Sequence, residues 1–135
     1  MRGEWSCSFG SASQRERESL DEIALLLVGL VAVLHTGFFV MESILWSSPA
    51  VMRIFGTTAE QAEATRVLAL NQGCYNLGAA GLLVAFYAMG NPIGVMGVLL
   101  FLAGMGLVGA ITANWRIILV QTLPALLAFF SLYAR

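Results

Sequence analysis

From Ile93 to Thr112 the chain runs for 20 residues without a charge, and this stretch narrows the possible folds more than any other feature. At about 1.5 Å per residue a helix of that length crosses the roughly 30 Å of hydrocarbon in a bilayer. Hydrocarbon offers the backbone no water to bond, so such a run must be helical. Three more apolar stretches flank it. With 59% hydrophobic and only 11% charged residues in 135, a soluble globule of this size would leave too much apolar surface in water. Lipid has to cover it. The expected fold class is all-α: an integral membrane four-helix bundle with a short polar N-terminal tail.

The expected helices lie at about 23–46, 60–89, 93–112 and 117–133, within one domain spanning 19–135. Residues 1–18, "MRGEWSCSFGSASQRERE", are polar and aperiodic, which predicts a disordered tail. The apolar run after it is too long for the core of a secretory signal and reads as a retained span. Ser19 and Glu22 have capping-box spacing and would open the first helix; "WSSP" would close it. Thr57 with Glu60, and Thr58 with Gln61, repeat that spacing before the second helix, "GNP" ends it, and Pro124 should kink the fourth. Four crossings put both termini on one side. The arginines near the spans divide three against three, Arg15, Arg17 and Arg135 against Arg53, Arg66 and Arg116, so the positive-inside rule assigns no orientation.

Glycines recur at 78, 81, 94, 97, 104, 106 and 109. Small residues let membrane helices approach closely, so these faces should pack tightly and could support a homo-oligomer. Cys7 and Cys74 lie in different environments and read as free thiols.

Against this background the polar residues inside the spans stand out. His35 lies near the middle of the first span, and Glu42, seven residues on, is on the same face nearer the loop. Phe38 and Phe39 fill the stripe between them. In the second span Gln72 and Asn76 are four apart, with Asn71 and Tyr75 beside them; Gln121 sits in the fourth. Nearly all of these fall in the loop-side half, whereas "IALLLVGL", "LLVAFYAM" and "LLAFFSLY" are apolar. A polar cavity open toward the loops is the arrangement this predicts. A charge at membrane centre costs about 2.5 to 3.5 kcal/mol on insertion scales, so Glu42 should find a partner or stay protonated. The competing reading is that these groups are interhelical hydrogen-bond glue.

The runs "LLVGLVAVLHTGFFVMESILW", "FGTTAEQAEATRVLALNQGCYNLGAAGLL" and "ITANWRIILVQTLPALLAF" resemble the small bacterial membrane proteins grouped as domain of unknown function 1304. The resemblance covers about residues 22–130. It rests most on His35 with Glu42, on "LNQGCYN" and on "VQTLPA". It implies a four-helix fold, no settled activity and a place in the bacterial inner (plasma) membrane.

A formal net charge of -1 and isolated arginines exclude a nucleic-acid footprint. No nucleotide motif or cysteine pair at metal-ligand spacing occurs, so no cofactor and no metal are expected. The chemistry these residues favour is acid/base: Glu42 and His35 as catalytic groups moving a proton on a lipophilic small molecule, such as a terpenoid or epoxide, that is isomerised or cyclised. Phe38, Phe39, Trp46, Asn71, Gln72, Tyr75, Asn76 and Gln121 would line the substrate site, with aromatic faces stabilising a developing cation. The alternative is a non-catalytic membrane carrier or exporter using the same cavity. A lone histidine without a second soft ligand does not point to haem.

Overall fold

The computed structural model describes residues 5–134, with side chains described from Glu18 to Ala134, and is all-helical across them. Helix α1 (Trp5–Phe39) continues into a π turn, Val40–Ile44. Short α2 (Pro49–Phe55) and α3 (Ala59–Ala64) lead to α4 (Arg66–Ala88); α5 (Pro92–Thr112), a second π turn (Ile118–Thr122) and α6 (Leu123–Tyr133) follow. Of the disordered tail expected over 1–18, residues 1–4 lie outside the described residues, and from Trp5 onward the backbone belongs to α1. The chain is already helical at Glu18, so Ser19 and Glu22 do not start a helix.

Three helical segments, Glu18–Ile44, Arg66–Ala88 and Pro92–Thr112, are long and apolar enough to cross a membrane, and Ile118–Tyr133 forms a shorter apolar helix. Their outer faces are greasy: Leu26 is 72% exposed, Ile93 81% and Ile111 85%. Such surface is tolerable only in lipid. The chain is an integral membrane protein.

Capping decides where the connector re-enters a helix. Of the two candidate boxes, Thr58 and Gln61 form the real one: the Thr58 amide donates to Gln61 Oε1 at 2.9 Å and the Gln61 amide to Thr58 Oγ1 at 3.2 Å. Ser48 caps α2, with Pro49 in its first turn and Gly56 closing it at φ 68°. The second helix is not continuous. It breaks at Thr65, whose hydroxyl turns back to the Gln61 carbonyl at 2.7 Å. In an unbroken helix the Ala62 carbonyl would accept from the Arg66 amide; here the Trp46 indole donates to it at 3.0 Å, and to Thr65 Oγ1 at 3.2 Å.

The chain divides into two compact units, Val31–Val98 and Met1–Leu30 with Leu99–Arg135. In the first, α4 buries Ala69, Gly73, Asn76, Ala80 and Leu83, a line at alternating spacings of four and three, and packs against the π turn Val40–Ile44. In the second, α5 buries Leu99, Leu102, Ala103 and Gly106, and α6 buries Ala125, Ala128 and Leu132. Pro124 does not kink a regular helix; it follows the π turn and sits in the first turn of α6, where its missing amide costs nothing.

Candidate functional site

Glu42 occupies the π turn that ends the first span. A π turn has i→i+5 closure, here the Leu45 amide donating to the Val40 carbonyl at 3.0 Å. It carries an extra residue per turn and is a frequent feature of functional sites. Asn76 donates from Nδ2 to Glu42 Oε2 at 2.7 Å, a length typical of a charge-assisted or strongly polarised bond. Glu42 is half-buried and Asn76 buried.

Counted from the loop, Glu42 and Gln72 lie at similar depth, with Asn76 deeper. The structure pairs Glu42 with Asn76, one turn deeper. Cα–Cβ bonds tilt toward a helix's N-terminus, which for α1 is the deeper end and for the antiparallel α4 the loop end. Glu42 therefore reaches down as Asn76 reaches up. Only Asn76 among the polar residues of α4 lies on the buried line; Asn71, Gln72 and Tyr75 are exposed, Tyr75 at 76%. Those three, expected to line the site, stand on the outer surface instead.

Close approach here depends on Gly73. A Cβ at that position would collide with Ser43 Oγ and lie 3.2 Å from both the Phe39 carbonyl and the Ser43 amide. Ser43 in turn donates to the Leu70 carbonyl at 3.3 Å. The sequence offers a weak signal for this, a glycine between Gln72 and Asn76, and none for the π turn. The glycines expected to mediate packing divide: Gly94 abuts Phe86, Gly106 abuts Thr122 and Gly109 abuts Ile117, whereas Gly78, Gly81, Gly97 and Gly104 face open space.

His35 is wholly buried, 0% exposed. Its Nδ1 pairs with the Val31 carbonyl at 2.8 Å, which makes Nδ1 the donor and leaves Nε2 as an acceptor. Nε2 finds no hydrogen-bond partner among the described residues. Phe38 stands edge-on to the imidazole at 5.3 Å. Phe38, Phe39 and Trp46 are half-buried. Gln121 is half-buried in the other unit and donates to the Leu102 carbonyl at 3.1 Å. Thr122, which sequence reasoning passed over, is buried and donates to the Ala103 carbonyl at 3.3 Å.

A cleft of about 340 Å³ opens at the end of the first span, lined by Ser43, Ile44, Leu45, Trp46, Ser47, Ser48, Arg66 and Leu70. Of the residues expected to line a cavity, Trp46 is on its wall; Glu42, His35 and Asn76 are not.

Taken together, these features describe an all-helical membrane protein that carries a carboxyl–carboxamide pair on a π turn. The profile of the family described as protein of unknown function (DUF1304) matches residues 29–133, and the chain belongs to that family. No curated protein and no solved structure matches it.

Proposed function

We propose that the protein is a membrane-embedded isomerase or cyclase that moves a proton on a lipophilic small molecule of the terpenoid or epoxide class, and that it works in the bacterial plasma membrane. The observation that carries this reading is the Asn76–Glu42 bond of 2.7 Å on a π turn. Asn76 engages Oε2 and so orients the carboxyl, leaving Oε1 to hold the acidic proton. In the acid form Glu42 gives that proton to an alkene carbon or an epoxide oxygen. The resulting cation is stabilised by the ring faces of Phe38 and Phe39. It then loses a proton from a neighbouring carbon to the same carboxylate, either directly or after a second double bond has closed a ring on it. The carboxyl ends as it began, and the product is an isomer of the substrate. His35, fully enclosed and edge-on to Phe38, takes no step in this scheme.

The experiment is deuterium transfer. Membranes containing the protein are incubated in D2O with the host's total lipid extract, and extracted compounds are compared by mass. The wild type should place one deuterium on carbon in the product of an alkene, or convert an epoxide to an isomeric alcohol of the same mass and different retention, since that oxygen-bound deuterium exchanges on work-up; Glu42→Gln, which keeps an acceptor for Asn76 but lacks the acid, should do neither. Equal labelling by both proteins rejects the chemistry. The alternative, a non-catalytic carrier, is favoured by the enclosure of His35, which removes one of the two expected proton-handling groups from reach. It requires a ligand that stays bound to Glu42→Gln and is recovered unchanged.

A further inference from the structure

The cleft beside Trp46 is built from two kinds of surface arranged in order of depth. Ile44 ends the first span, and Leu70 lies one turn inside the start of α4; both are exposed, at 65% and 46%. Ser47 and Ser48 lie beyond the first span, and Arg66 is the first residue of the second, at its loop end. The cleft is therefore apolar toward the hydrocarbon and polar with a guanidinium toward the headgroups. Trp46 forms the boundary between the two, its indole tied to Ala62 and Thr65 so that the wall is rigid. Tryptophan favours this level of the membrane, with its ring body in apolar surroundings and its N–H satisfied.

We infer that this cleft is a binding site for the phosphate of a membrane phospholipid, with one acyl chain lying along Ile44 and Leu70. Arginine is suited to phosphate because its planar fork can donate two parallel hydrogen bonds. The Arg66 side chain has an existing ion pair, to Glu63 at 3.5 Å, but both side chains are well exposed, at 64% and 70%. Exposed pairs of this kind hold weakly, and a lipid phosphate seated beside Trp46 competes for the guanidinium. The volume, about 340 Å³, is within the range of small-molecule sites. This site is separate from the Glu42–Asn76 pair and does not rest on the catalytic reading.

The test is native mass spectrometry of the full chain in mixed micelles with graded palmitoyl-oleoyl-phosphatidylglycerol. One lipid should remain bound to the wild type at low loading. Arg66→Gln should weaken that binding about fivefold, the factor expected for one arginine at a membrane surface. Ser47→Trp, which fills the cleft, should abolish it. Arg53→Gln, a change at an exposed arginine of the same connector outside the cleft, should leave it intact, and helix content by circular dichroism should be unchanged in all three. Inorganic phosphate in excess should not displace the lipid. Wild-type binding by Arg66→Gln overturns the assignment, as does an equal loss in Arg53→Gln. Displacement by inorganic phosphate overturns the lipid and leaves a simple anion site.

Discussion

Two polar residues that look alike in the sequence, His35 and Asn76, are buried for different reasons. Asn76 is positioned by its partner: its amide meets Glu42 at 2.7 Å, satisfying both groups away from water. Asn76→Leu removes the donor and leaves the carboxyl without that bond. Loss of a hydrogen bond to a group of this kind costs about 1.5 to 3 kcal/mol, so thermal unfolding in detergent should move to lower temperature. Asn76→Gln should not fully rescue it, because the extra methylene displaces the amide from the 2.7 Å contact with Glu42. His35 fills volume. It is among the largest fully buried side chains, and His35→Ala should destabilise the protein by about 2 to 4 kcal/mol through the cavity left behind. Stability unchanged by His35→Ala would contradict the enclosed imidazole. The His35 and Glu42 pair was legible in the sequence as unusual, as was the need of Glu42 for a partner; that His35 would be sealed and that the partner would be Asn76 was not, because a helical wheel gives angle and not the depth to which a side chain leans.

At the level of helices the molecule uses one packing device twice. A π turn presents a hydroxyl that donates to a carbonyl of the opposing helix and sits over the glycine three residues further on. Ser43 does this with Leu70 and Gly73, and Thr122 with Ala103 and Gly106. Widening the helix at a π turn moves that hydroxyl outward, and a glycine opposite makes room for it. Gly73→Ala should therefore destabilise by about 1 to 3 kcal/mol through overpacking, despite the better helix propensity of alanine. Gly78→Ala, which meets open space, should stabilise by about 0.5 to 1 kcal/mol. In the double variant with Ser43→Ala, the hydroxyl that the new methyl would strike is gone. The two changes should then be less damaging together than their sum, read as a coupling energy in a double-mutant cycle; strict additivity would remove Ser43 as the obstacle. The glycine stripes themselves were visible in the sequence. Which glycines carry contacts was not, since that depends on where the π turns fall, and nothing in "VMESI" or "ILVQT" marks i→i+5 closure.

For the whole chain, insertion in a membrane follows from the three long apolar helices and one shorter one among the described residues. The last, Ile118–Tyr133, covers only about 24 Å at 1.5 Å per residue, less than the roughly 30 Å of hydrocarbon. Local thinning of the bilayer is a modest cost for such a mismatch. Reporters fused before Glu18 and after Ala134 should accordingly be accessible from the same side; opposite sides would mean that the last helix does not cross. The membrane-bound all-helical class was settled by run length and composition alone, because twenty uncharged residues have one stable state in lipid whatever their neighbours are. The identity of the polar pair, the outward turn of Asn71, Gln72 and Tyr75, and the lipid-level cleft were decided by packing. They depend on the lean of side chains across an antiparallel pair and on an extra residue in a helical turn, and both of these arise only when two helices meet.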